Sequence, residues 1–179
     1  MSLSKRLLIL ICVALFSVSG ASSGEIEEAK LLGSRIHMDV PSSFKPMSEE
    51  LLKLTYPNGN PPGYVLSAED GSVTITFNHT SSPMDPEKLG ELLHGMEMAY
   101  QNNNPSATWH RSEITGINSR AWSYMDLQTK AGDSEVRNLI LGTPLDGRLL
   151  LISVNMPKEL EELWLPGALK MIESLKVLD

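Results

Sequence analysis

Four strand-like segments, residues 108–114, 120–129, 135–143 and 148–155, follow one another with no helix between them. The turn signals that separate them are Gly116-Ile117-Asn118, Ala131-Gly132-Asp133 and Asp146-Gly147, and connections that short join antiparallel neighbours. The last segment adds a second constraint. Leu149, Leu150, Leu151 and Ile152 are apolar at successive positions, and successive strand side chains leave opposite faces, so both faces need cover there. Two helical segments can supply it. One opens at Asp85-Pro86, where a proline in the first turn loses no helical hydrogen bond, and runs to about residue 101. Leu89, Leu92, Leu93, Met96 and Tyr100 give it one apolar stripe. The other spans residues 158–175, where Pro166-Gly167 predicts a division into two short helices.

Upstream, Ile36, Met38 and Val40 alternate with Arg35, His37 and Asp39, which predicts a half-buried strand over residues 34–40, ended by Pro41. Ser48 can cap a short helix over residues 49–54, with Glu49 and Glu50 at its positive end. Residues 56–63 hold three prolines and two glycines and read as a loop. Residues 64–69 and 72–80 flank Asp70-Gly71, a pair suited to a two-residue type I′ hairpin. The expected fold is therefore α+β: one α/β/α sandwich over residues 34–179, its mainly antiparallel sheet of about six or seven strands covered by helices on both faces.

The N-terminus addresses the chain. Lys5 and Arg6 precede an apolar run from Leu7 to Phe16 and then small residues, the layout of a secretory signal peptide over residues 1–21. A spanning helix needs roughly 20 apolar residues, about twice this run, so removal after Ala21 is expected, with Gly20 as the competing site. Cys12 lies inside the run behind bulky Ile11, which is not a lipidation signal. Residues 22–33 are small and charged and read as a flexible leader. The expectation is a periplasmic or secreted protein with no stable membrane anchor after cleavage. Cys12 is the sole cysteine, so the mature domain is held without disulfides. Loss of Lys5 and Arg6 leaves 13 basic against 22 acidic residues, which excludes nucleic acid as the main partner.

The sequence holds no nucleophile elbow, phosphate loop or cysteine nucleophile. His37, His79, His94 and His110 lack ligand spacing, and the pairs Glu49-Glu50 and Glu161-Glu162 diverge around their helices. No catalytic, cofactor-binding or metal-binding residue is assigned, and no cofactor is expected. Asn78-His79-Thr80 satisfies a glycosylation sequon. One constellation combines recognition-type side chains: Arg120, Trp122, Tyr124 and Asp126, on one face of a predicted strand. They form either a partner-binding face or a set of core aromatics with charges at the sheet rim. Trp109 and Trp164 read as core.

With this order of elements, the chain resembles the Mog/PsbP-like superfamily, including its exported bacterial DcrB-like branch. The resemblance rests on Val40-Pro41-Ser42-Ser43-Phe44, the hairpins at Asp70-Gly71 and Asp146-Gly147, and the closing Met171-Ile172-Glu173-Ser174-Leu175-Lys176. It implies an α/β/α sandwich over nearly all of the mature chain. Relatives serve as photosystem accessory subunits, as a nuclear GTPase-binding factor and as envelope proteins, and none of their binding residues maps onto a motif here. The expected function is that of an exported, non-enzymatic binding or accessory protein of the envelope, whose partner is a protein or a small apolar ligand. The alternative is a hydrolase or other enzyme with a dispersed active site.

Overall fold

The computed structural model describes residues 25–68 and 70–178, so the expected signal peptide lies outside the described residues. Along the chain come β1 (Ile26–Leu31), β2 (Ile36–Pro41), β3 (Lys45–Pro46), α1 (Glu49–Thr55), β4 (Tyr64–Ser67), β5 (Thr74–Pro83) and α2 (Leu89–Asn103). There follow β6 (Thr108–Ile117), β7 (Arg120–Ala131), β8 (Ser134–Leu145), β9 (Arg148–Pro157), α3 (Glu161–Ser174) and β10 (Lys176–Val177). Seven strands form an antiparallel sheet in the order β3-β4-β5-β9-β8-β7-β6, and β1-β2-β10 form a smaller one.

The alternation along the strands sets the layers. On one face of the large sheet, Ile75, Leu150, Ile152 and Leu141 meet Ile36 and Met38 of β2 and Met171 and Ile172 of α3 in the main core. On the other face Met125, Leu127 and Ile140 pack beneath Leu93, Met96 and Tyr100 of α2. Helix α2 approaches closely. A Cβ on Gly142 would lie 2.7 Å from Ser123 Oγ and 3.0 Å from a methyl of Leu92, so this β8 position has room only for hydrogen. The result is the expected antiparallel α+β sandwich, with the small sheet sharing the α3 layer.

Most predicted elements stand where the periodicities place them, and Ser48 caps α1 by accepting from the Leu51 N–H. Three expectations are corrected. Residues 26–31, read as part of a flexible leader, form β1, which runs in register with β2 from Ile26↔Pro41 to Leu31↔Ile36. Only Ala29 and Leu31 of this strand turn inward, so charged outer residues mask its alternation. Pro166 does not divide the last helix. It lies on the exposed side of α3, and so does Glu162, whose carbonyl is the one the proline ring leaves without its helical donor and can turn to water. The Asp70-Gly71 connection is longer than two residues: β4 and β5 pair from Ser67↔Thr74, and Gly71, with φ +72°, takes a left-handed position.

Strand β9 is central, between β5 and β8. Leu150 and Ile152 are fully buried on the α3 side, whereas Leu149 and Leu151 are half-buried on the side that α2 only partly covers. Leu150→Ala should therefore cost about 2–5 kcal/mol in urea unfolding, and Leu151→Ala distinctly less. Equal losses would show that both faces are equally packed.

One polar clamp fastens β1. His37 Nδ1 lies 2.9 Å from Glu28 Oε1 and its Nε2 lies 2.8 Å from the Ser34 carbonyl oxygen. Two acceptors suit the doubly protonated ring. The Glu28 hydrogen bond, and after it the Ser34 carbonyl, raise the His37 pKa above its ordinary 6.5, while His37 and then Lys30 lower that of Glu28 below its ordinary 4.5. A raised histidine contributes fully below pH 6.5, and its contribution is lost as pH climbs through the folded value. A lowered carboxylate contributes above pH 4.5 and is lost as pH falls through its own folded value. Hydrogen-exchange protection factors of the β1 amides should accordingly be highest between these limits and fall toward alkaline pH. Protection in His37→Gln should lose the alkaline fall; an unchanged profile in that variant would remove His37 from the clamp.

Candidate functional site

Arg120, Trp122, Tyr124 and Asp126 do leave one face of β7, but it is the face turned toward α3 and the small sheet. Trp122 is 1% exposed and Tyr124 3%. The expectation of a partner-binding surface on these four residues is thereby corrected: the two rings fill the interior, where large aromatics bury the most area. Trp122 is there for volume, since its buried Nε1 meets no acceptor among the described residues. The two charges at the ends of the set serve different places.

Asp126 belongs to an interior ion network. Arg137 of β8 donates from Nε and Nη2 to the two Asp126 carboxylate oxygens, the second at 2.8 Å, and from Nη1 to Glu161 Oε1 at 2.9 Å. The fork of the guanidinium thus joins β7, β8 and the first turn of α3. Beside it, the Arg111 guanidinium sits 4.9 Å from the centre of the Tyr124 ring, a cation–π contact. Burial first, and the Asp126 charge after it, push the Tyr124 pKa up to about 12, so the phenol keeps its proton at neutral pH. This network fixes register and helix placement.

Arg120 lies at the other end of β7, where three loops converge. The Asn118-Ser119 turn, the Asp146-Gly147 turn and the Met84-Asp85-Pro86 entry to α2 enclose a cleft of about 630 Å³, closed on one side by Val177. Both turns are of the primed kind: Asn118, Ser119, Asp146 and Gly147 all have positive φ. Asn118 Nδ2 donates to the Glu173 and Leu175 carbonyls, tying its turn to the end of α3. Met84 N–H donates to the Gly147 carbonyl and holds the third loop against the second.

The polar side chains around this cleft hold one another. Arg120 donates to the Pro144 carbonyl at 2.7 Å. Arg35 donates to Asp146 and to the Leu178 carbonyl. The Arg35 hydrogen bond, and after it the Arg35 charge, hold the Asp146 carboxyl below the usual carboxylate range. His79 lies 2.9 Å from the Leu145 carbonyl through Nε2 and 3.1 Å from an Arg148 nitrogen through Nδ1. An arginine donates and a carbonyl accepts, so the ring is the neutral tautomer with its proton on Nε2. Both its nitrogens are engaged. The remaining histidines lie elsewhere, His94 exposed on α2 and His110 at a bulge in β6. Among the described residues no three His, Cys, Asp or Glu side chains converge to hold a metal ion, and no helix is long and apolar enough to cross a membrane.

Most of the backbone arrangement has counterparts. The solution structure of cyanobacterial PsbP (CyanoP) from Synechocystis sp. PCC 6803 matches with a TM-score of 0.61 at 11% identity, covering 91% of this chain and 98% of that one. The Ran-binding protein Mog1p of Saccharomyces cerevisiae matches with a TM-score of 0.53 at 15% identity, covering 88% and 97%. LpqN of Mycobacterium tuberculosis, involved in cell envelope biogenesis, matches with a TM-score of 0.53 at 13% identity, covering 87% and 93%. The fold is Mog/PsbP-like. No family model and no curated protein matches the sequence. The expected resemblance therefore holds at the level of fold, which carries no residue role with it.

The interior network supplies a test of its own. Asp126→Ala leaves the buried Arg137 with Glu161 as its one remaining carboxylate partner and two donors unmet, and should cost about 1–3 kcal/mol in urea unfolding. The paired replacement Asp126→Leu with Arg137→Met should recover most of that loss. A single variant as stable as the parent would show that the ion pair has no structural weight.

Proposed function

We propose that the chain is an exported, non-enzymatic binding or accessory protein of the cell envelope, and that the cleft at the hairpin end of the sheet is its contact site. The observation that carries this reading is the engagement of the polar groups there. Of the lining, Arg120 bonds the Pro144 carbonyl, Asn118 bonds two carbonyls at the end of α3 and Asp146 is held by Arg35, while His79, outside the lining, has both ring nitrogens engaged by the Leu145 carbonyl and Arg148 and none free to act as a general base. A fixed wall of this kind suits recognition of a surface more than movement of a proton. The layout of residues 1–21 supports export. The shared frame of Mog1p, described as Ran-binding, is in keeping with a binding role, and that of LpqN, described as involved in cell envelope biogenesis, with a place in the envelope. The partner is a protein or a small apolar ligand, and no cofactor takes part.

Two measurements test this. N-terminal sequencing of the exported product should start at Ser22 or within a residue or two; an intact Met1 in the membrane fraction would end the export proposal. A photo-crosslinking residue at Ser119 should then trap a partner in intact envelopes, whereas the same residue at exposed Lys130, in the β7–β8 hairpin, should not. Equal trapping at both positions, or a turnover abolished by His79→Ala, would overturn the reading.

A further inference from the structure

The two edges of the large sheet are protected very differently. On one side β3 is two residues long, and those residues are Lys45 and Pro46, a charge and a ring without an N–H donor. Short length, lysine and proline are the usual means of blocking an edge. On the other side β6 has ten residues, pairs among the described residues with β7 alone, and contains neither lysine nor proline. Its one irregularity is the bulge at His110. Beyond the bulge residues 111–117 pair with β7 without interruption, from Arg111↔Asp126 to Ile117↔Arg120. In the middle of that stretch Ile114 is 45% exposed.

We propose that this edge is a self-association surface: residues 111–117 pair antiparallel with the same residues of a second copy about a twofold axis at Ile114. A twofold normal to the sheet keeps every residue on its own face, so only a few registers are open. Centring on Arg111 or on Glu113 sets like charges directly opposite each other, which is unfavourable. Centring on Ser112 lays the His110 bulge of each copy against Ile114 of the other. Centring nearer the turn shortens the ladder. With Ile114 at the centre, the uninterrupted segment pairs along its whole length and no charge faces its like.

The side chains agree with that register. Ser112 shares the α2 side of β6, shown by its Oγ donating to Glu97 of α2 at 2.5 Å, and Ile114 and Gly116 follow on the same side by alternation. The two isoleucines would meet at the axis, flanked by Ser112 opposite Gly116 of the partner, small residues that leave them room. On the other side Arg111 and Glu113 form an ion pair within each copy, so each contributes a neutral pair to the contact.

In a chain carrying Cys12→Ser, Ile114→Cys is the sole cysteine, and the axis sets it directly opposite its copy, within the Cα separation a disulfide accepts. Oxidation should cross-link this variant at least tenfold faster than Lys130→Cys in the same background. Sedimentation equilibrium of the Cys12→Ser chain should show a monomer–dimer equilibrium that Ile114→Lys, an exposed change with an unaltered circular-dichroism spectrum, shifts to monomer. A parent that stays monomeric at the highest concentration reached, or an Ile114→Cys chain that cross-links no faster than Lys130→Cys, would overturn the proposal.

Discussion

Leu150, Ile152, Val154 and Met156 leave β9 at every second position and are fully buried in one cluster with Ile36 and Met38 of β2. That contact between the central strand and the small sheet is what the remaining layers depend on. It joins residues more than a hundred positions apart, and it is made without a disulfide, so apolar area alone must offset the conformational entropy of ordering both sheets. The small sheet in turn is closed by β10, which pairs with β2 at Lys176↔His37 after α3 has crossed over. The N-terminal strands and the C-terminal helix therefore share one layer, and neither can be placed without the other.

Charge inside such a structure is tolerated only where geometry is complete. The Arg137 fork spans two strands and a helix, and three of its donors have carboxylate acceptors. Slippage of β7 against β8 would part Arg137 from Asp126, so the pair reinforces a register that the alternation of apolar residues already sets. The nearby Gln128 and Lys158, both donating to Glu135, extend the polar boundary outward to exposed positions. Polar groups inside the sandwich are thus admitted where each finds a partner, as Ser123 does at the Gly142 carbonyl and Thr143 at the Ala121 carbonyl.

The sandwich was legible because most of its strands alternate and two of its hairpins carry Gly132 or Gly147 at positive φ. Strand β1 was not legible: with two inward residues out of six, its pattern is that of a solvated segment. Pro166 misled for a local reason, since a proline can stand on the solvent side of a helix whose other side holds Ala168, Met171 and Ile172 in the core. The set on β7 shows the deeper limit. Alternation correctly put Arg120, Trp122, Tyr124 and Asp126 on one face, but whether that face meets water depends on what packs over it. Arg137 as the partner of Asp126 likewise required the pairing of β7 with β8. The cleft was least legible of all, because it is assembled from three connections distant in the chain, whose sequences signal turns and a helix start but not their convergence.

The same distance gives the cleft its rigidity. Asn118 Nδ2 bonds two carbonyls at the end of α3, Arg35 of the β1–β2 turn bonds both the Asp146 turn and the Leu178 carbonyl, and Met84 N–H bonds the Gly147 carbonyl. Each of these contacts crosses from one element to another that is remote in sequence. The C-terminal residues are held from two directions, by Arg35 through Leu178 and by β2 through Lys176 and Val177. The turn residues adopt positive φ, which Asn and Asp accept at lower cost than most side chains, and the cross-links hold them there. The wall of the cleft is therefore part of the folded frame, set by the same sheet-to-sheet contact that holds β9 against β2.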